Sequence, residues 1–173
     1  MKIVSIVSNN KTYQPIVYDN LISKVVTDFE CIIIVPFTNK VMTPSKMTIF
    51  LFNLFGFKGF ILKFIEVVMC NILSFFEYFL SLSRSYSLSN VAKKYNIPIY
   101  YFNSLGNSDL IKLLKSINPD LIISSQGHYV SKQILKIPKY GVINKHAGLL
   151  PEYRGAYPVF WADEKKLVFL YIL

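Results

Sequence analysis

Asn144 and His146 stand two residues apart at the end of an apolar run, Val142-Ile143. If that run is a strand, its period of two turns both side chains to one side. A side-chain amide can donate a hydrogen bond to a developing oxyanion, and an imidazole can manage a proton near neutral pH. The pair therefore suits a reaction in which charge builds on an oxygen while a proton moves. Taken alone, the two residues read first as a satisfied polar strand edge, and the surrounding chain has to decide between the readings.

The elements that would position the pair are legible upstream. Lys2 to Ser8 and Phe29 to Val35 are apolar, β-branched runs with the look of strands buried on both faces. Pro98–Phe102, Leu121–Ser125 and Tyr140–Lys145 read as three further strands. Between them lie helical stretches: Pro15–Lys24, Ser87–Tyr95, an apolar stripe from Leu110 to Ile117 capped by Asn107-Ser108-Asp109, and a short Lys132–Lys136 capped by Ser131. Alternating strands and helices predict an α/β fold: a Rossmann-like, doubly wound, mostly parallel sheet with helices on both faces. The chain, residues 1–173, reads as a single domain carrying a helical apolar insertion over 43–82. Ligands in such folds sit beyond the carboxyl ends of the strands. That rule places Gln126–Ser131 and His146–Gly155 in the expected site.

Composition narrows the class. Hydrophobic residues make up 53% of the 173 residues and charged residues 17%, which excludes a disordered chain. The net charge is +9 with the lysines scattered, as expected of a solvated basic surface rather than a nucleic-acid footprint. Cys31 and Cys70 have no metal-like spacing and read as buried thiols in a reducing cytosol. MKIVSIVSNN lacks the length and cleavage site of a signal peptide, so a cytoplasmic protein is expected. No GxGxxG or GxxxxGK[ST] is present, which leaves simple dinucleotide and P-loop chemistry without support.

The residues downstream of the pair change its meaning. Asn144-x-His146 leads into Leu149-Leu150-Pro151-x-Tyr153-Arg154-Gly155 and then Pro158-x-x-Trp161-Ala162. This stretch resembles the signature region of the folate-dependent formyltransferases, which include methionyl-tRNA, glycinamide ribonucleotide and sugar N-formyltransferases. Asn118-Pro119-Asp120-Leu121-Ile122-Ile123 and Lys136-Ile137-Pro138-Lys139-Tyr140-Gly141 resemble the family's leads into its fourth-strand loop and catalytic strand. The resemblance is clear from about Asn118 to Ala162, generic from Met1 to Val35 and absent from Thr43 to Leu82.

The resemblance implies that a substrate amine attacks the formyl carbon of 10-formyltetrahydrofolate. It implies that Asn144 stabilises the oxyanion and that His146 assists proton transfer or charge stabilisation. Gly127, His128, Tyr129 and Val130 would line the pterin pocket and meet the ring through backbone groups. Leu149, Leu150 and Pro151 would shape the site, and Arg154 would sit near the acceptor or its phosphate. An apolar slot with a few placed polar groups suits a flat heterocycle. The His128 side chain could face the cofactor, but reads first as a water-exposed loop residue. No metal is expected, since neither histidine comes with carboxylate or cysteine ligands.

One part of the family pattern is unmatched. The family's third catalytic residue is an aspartate following a strand that reads roughly Gly-Val-Thr-Ile-His, and Asp163 lies too early to fill that role. The tail Leu167–Leu173 reads LVFLYIL, and one permitted codon set for it, read two bases later, gives Gly-Val-Ser-Ile-His-Ile. The expectation is a frameshift near Lys166, a truncated product and impaired transfer, with a non-catalytic, folate-binding or membrane-associated remnant as the competing reading.

The insertion is apolar in an unusual way. Met47–Phe57 and Phe60–Phe79 are interrupted by Lys58, Lys63, Glu66 and Glu77, so no window of about twenty residues is free of charge. Two helices are expected rather than a membrane span. Packing on the protein's own domain or on a twin copy comes first, and peripheral contact of 47–79 with the inner membrane face comes second. The insertion replaces a connection that is short in the methionyl-tRNA enzymes. The expected acceptor is therefore a small-molecule amine, best a nucleotide-linked amino sugar. The alternative is initiator methionyl-tRNA, which would make a nucleic acid the partner.

Overall fold

The computed structural model describes residues 1–37, 43–80 and 84–146. Five strands form one sheet in the order β3-β2-β1-β4-β5, and every neighbouring pair is parallel. They are β1 (Ile3–Ser8), β2 (Phe29–Val35), β3 (Ile99–Tyr101), β4 (Leu121–Ser125) and β5 (Val142–Asn144). The helices are α1 (Gln14–Val25), α2 (Pro44–Leu80), α3 (Leu88–Lys94), α4 (Ser108–Ile117) and α5 (Lys132–Leu135).

The burial of each strand follows its place in this order. All six residues of β1 are buried, and in β2 only Glu30 is exposed. Strands covered on both faces need near-continuous apolar side chains, which IVSIVS and FECIIIV supply. The edge strands β3 and β5 are short and partly exposed. Two apolar clusters flank the sheet. One joins Tyr18 and Ile22 of α1 and Leu88 and Val91 of α3 to Ile32 and Ile34. The other joins Leu110 and Leu114 of α4 and Ile134 of α5 to Ile6, Ile33 and Ile122. Helices on both faces of a parallel sheet match the architecture expected from the sequence. Cys31 and Cys70 are both buried free thiols, and burial pushes the Cys31 pKa up to about 12.

Local chemistry fixes the ends of α4. The Asn107 side chain accepts hydrogen bonds from the backbone N–H groups of Asp109 (2.8 Å) and Leu110 (3.4 Å). At the far end Asn118 takes the left-handed conformation (φ 50°) and its N–H donates to Leu114 O. Such caps are worth about 1 kcal/mol each. Just beyond, Lys2 N donates to Asp120 Oδ2 (2.7 Å) and Asp120 N donates to Lys2 O (2.8 Å). This exchange ties the start of β1 to the start of β4 and sets their register, Ile3 opposite Leu121.

Asp19 of α1 links that helix to the segment carrying α3. Its carboxylate accepts from Lys94 Nζ (2.8 Å), Tyr95 Oη (2.8 Å) and Ser85 Oγ (2.9 Å). Partial burial opposes ionisation, but the hydrogen bonds from Lys94, Tyr95 and Ser85 outweigh it and hold the Asp19 pKa below its ordinary value. A depressed folded-state pKa contributes stability above the unfolded-state value, and that stability is lost as pH falls through the folded value. Asp19→Asn is thus expected to cost about 1 kcal/mol at neutral pH. Urea melts across a pH series should show the difference from the parent shrinking below the ordinary carboxylate range. A constant difference at all pH values would contradict this account.

α2 departs from expectation. A non-helical Gly56 (φ 64°, ψ 178°) breaks it into two helical stretches, as the sequence suggested. Its apolar side chains, however, are not packed on the domain. Phe57, Phe64 and Phe75 are 72%, 59% and 71% exposed. Within the most apolar part of Pro44–Glu77, only 6% of residues are buried, and among the described residues this is the one helix long and apolar enough to cross a membrane. The expected packing against the protein's own core fails because the stretch 63–77 turns its polar stripe, not its apolar side, toward the domain.

Candidate active site

The chain runs from β1 outward to β2 and β3, then returns to β4 and β5 on the other side of β1. The carboxyl ends of β1 and β4 are therefore the switch point at which doubly wound sheets bind ligands. All five strands are parallel, so the segments after β1, β2, β3, β4 and β5 all begin at that end.

The loop after β1 is set by side chains. Asn10 Oδ1 accepts from Thr12 N (2.9 Å) and Thr12 Oγ1 (2.6 Å), which turns the chain into α1. At the first residue of α1, Gln14 is fully buried. Its Nε2 donates to Ser125 O (2.7 Å) and Ser125 Oγ (2.9 Å), clamping the start of α1 to the end of β4. Gln14 Oε1 has no partner among the described residues.

The loop after β4 is closed by Gln126. Its Oε1 accepts from His128 N, and its Nε2 donates to His128 O (2.8 Å) and Ser124 Oγ (3.2 Å). The His128 ring reaches across to the carbonyl of Pro36 at 2.6 Å, just past the end of β2. The sequence reading takes His128 first as a water-exposed loop residue; the residue is intermediate in exposure, and its ring contact with Pro36 joins two loops of the site. Tyr129 is fully exposed, whereas Val130 packs against the cluster around Ile134. A Cβ built on Gly127 would meet nothing within 4 Å, so the loop is open at that point. The His128 N–H is already engaged by Gln126. A ring edge seeking a backbone donor would meet a neighbouring residue or displace the Gln126 side chain.

Asn144 ends β5 opposite Ser124 of β4. The next residue extends the pairing, with Lys145 N donating to Ser124 O (2.8 Å). Its ammonium lies 4.6 Å from the Tyr13 ring centroid, in the loop after β1. Desolvation pulls the Lys145 pKa below its ordinary value and pushes Tyr13 above its own. This contact fastens the end of β5 to the start of α1. It holds the stretch that carries Asn144 and the part-buried His146. A cleft of about 220 Å³ opens at the same end of the sheet, lined by Asn9, Ile34, Val35, Pro36, Tyr101, Phe102 and Asn103. Leu149, Leu150, Pro151 and Arg154 lie outside the described residues, as does the tail Leu167–Leu173. Among the described residues no three His, Cys, Asp or Glu side chains converge as a metal site.

The structure thus brings Asn144, His146 and the Gly127–Val130 loop to one end of the sheet. Gln14, Gln126 and the Tyr13–Lys145 contact, which position them, carry no motif. The only sequence hint is the placement of Gln14 directly before Pro15, at a helix start.

Residues 78–165, half of the chain, match the family model described as formyl transferase. Methionyl-tRNA formyltransferase from Clostridium botulinum (strain Alaska E43 / Type E3) is 50% identical over 80 residues, covering 43% of this chain and 26% of the relative. The enzyme of the same name from Clostridium acetobutylicum is 47% identical over 77 residues, covering 43% of this chain and 25% of the relative. The match thus spans about a quarter of the length of these curated relatives. The fold resembles phosphoribosylglycinamide formyltransferase from Streptococcus pneumoniae TIGR4, with a TM-score of 0.53 at 14% identity, covering 96% of this chain and 67% of that one. With half of its length matched to the family model, the chain belongs to the formyl transferase family.

Proposed function

We propose that the protein transfers a formyl group from 10-formyltetrahydrofolate to the amino group of a methionyl-tRNA. The observation that carries the chemistry is Asn144 with His146 at the carboxyl end of β5, beside the loop after β4, in a chain of this family. The acceptor rests on the relatives. The two relatives named above are methionyl-tRNA formyltransferases, which favours that acceptor over the nucleotide-linked amino sugar expected from the insertion.

The folate would supply an activated formyl group, held by the loop Gly127–Val130, whose open Gly127 leaves room for a flat ring. The acceptor amine attacks the formyl carbon, a C–N bond forms, and negative charge builds on the formyl oxygen. The Asn144 amide donates a hydrogen bond to that oxygen. His146 accepts or relays the proton lost by the amine, and a proton returns to the folate nitrogen as its bond to the formyl carbon breaks.

The purified chain, in excess over radiolabelled 10-formyltetrahydrofolate, should be offered initiator methionyl-tRNA or a nucleotide-linked amino sugar. Label on the aminoacyl-tRNA is the expected result. Label on the sugar alone would overturn the acceptor, and label on neither would overturn the transfer reading.

A further inference from the structure

We infer that α2 seats this protein on an anionic lipid surface, with the apolar arc of residues 57–77 entering the lipid and the sheet domain held above it. The inference is independent of formyl transfer, and nearly all of α2 precedes the family match.

It starts from the direction in which the helix faces. At 100° per residue, Lys63, Glu66, Cys70, Ser74 and Glu77 fall within roughly 80° of the circumference. From Cys70 to Glu77 that stripe meets the domain. Glu77 Oε2 accepts from Asn90 Nδ2 (2.9 Å) and Tyr86 N (3.1 Å). Lys11 Nζ donates to Ser74 Oγ (3.3 Å) in the stripe and to Asn71 Oδ1 (2.8 Å), which lies about 60° beyond its edge. Cys70 is buried, and Lys63 is paired with Glu66 at 2.7 Å.

The opposite side holds Phe64, Ile65, Val68, Ile72, Phe75 and Phe76, all exposed. They belong to an arc of roughly 200°. A helix on a soluble domain ordinarily buries its apolar stripe and shows its polar face to water. Here the order is reversed, so an apolar medium must lie on the far side.

Width and charge choose the medium. A partner helix from a second copy covers a narrow seam, whereas lipid wets the whole arc. Both carboxylates of α2, Glu66 and Glu77, lie on the domain side. The charges outside that stripe, Lys46 and Lys58, are exposed and basic. With a chain charge of +9, the surface suits anionic headgroups. The docked stripe keeps the domain against one side of the helix, which fits lying in the interface rather than crossing it.

The test is flotation of the full chain with vesicles of phosphatidylcholine alone or mixed with phosphatidylglycerol, alongside light scattering for oligomeric state. Flotation with the anionic vesicles is expected, weakened by high salt. Phe64→Glu with Ile72→Glu, both on exposed positions of the arc, should lower partitioning at least tenfold. Circular dichroism would show that the variant keeps its fold, and Lys46→Glu with Lys58→Glu provides a second variant that leaves every apolar side chain of the arc in place. Absence of flotation overturns the inference. If it comes with a dimer that the arc variant dissolves, a second copy is the occupant. Flotation unaffected by both variants overturns it as well.

Discussion

Replacing Asn144 with alanine is expected to lower the rate of formyl transfer by roughly 10²–10³-fold, the loss typical for one hydrogen-bond donor to an oxyanion. The amide is useful because it is fixed before charge develops. Asn144 ends β5 in register with Ser124, and the next peptide is held by Lys145 N to Ser124 O at 2.8 Å. The residue is exposed, so its removal leaves no core cavity and should not change stability by more than about 0.5 kcal/mol. That separates a chemical role from a structural one. The measurement is a single-turnover rate with chain in excess, together with a urea melt. Asn144→Asp removes the donor at nearly constant size and should be at least as slow as the alanine variant. A rate within threefold of the parent for both variants would remove Asn144 from the reaction.

His146 should behave differently in the same assay. An imidazole that moves a proton imposes a pH dependence on the rate, whereas an amide donor does not. The Asn144→Ala rate should therefore keep the parent's pH profile at a lower level. His146→Ala should flatten it.

These residues could be found before any coordinates because strand periodicity and motif spacing are local properties. The run from Ile32 to Val35 announces a strand buried on both faces, and Asn107 and Asn118 mark the two ends of α4 by their own conformational preferences. Other features depend on contacts between distant residues. Gln14 and Ser125 are 111 residues apart, and His128 and Pro36 are 92 apart. No local pattern distinguishes a glutamine that will be buried at a loop junction from one that will face water. For α2 the division into two helices and the apolar content are legible, although the sequence puts the break after Phe57 and the structure puts it at Gly56. The direction of its faces is not. Apolar spacing identifies a stripe, but only the positions of Asn90, Tyr86 and Lys11 show that the polar stripe is the docked one.

The same dependence on distant contacts makes the core beneath the site its most sensitive structural point. Ile122 of β4 is fully buried and packs with Leu110, Leu114 and Ile134. It stands between Val4 of β1 and Val142 of β5 in the sheet. Ile122→Ala should cost roughly 2–5 kcal/mol, the sum of lost transfer energy and the cavity left behind, and Ile122→Val only about 0.5–1.5 kcal/mol. Phe75→Ala should stay within about 0.5 kcal/mol in the absence of lipid, because Phe75 is 71% exposed on α2. Urea melts of the three variants would read the ordering directly. A cost at Phe75 matching that at Ile122 would mean that α2 is part of the folding core, against its exposed placement. The alanine variant at Ile122 should also slow transfer beyond its loss of folded chain, since β4 sets the register of Asn144 through Ser124. Correcting the rate for the folded fraction separates the two effects, and a corrected rate equal to the parent's would show that the β4–β5 pairing survives the cavity.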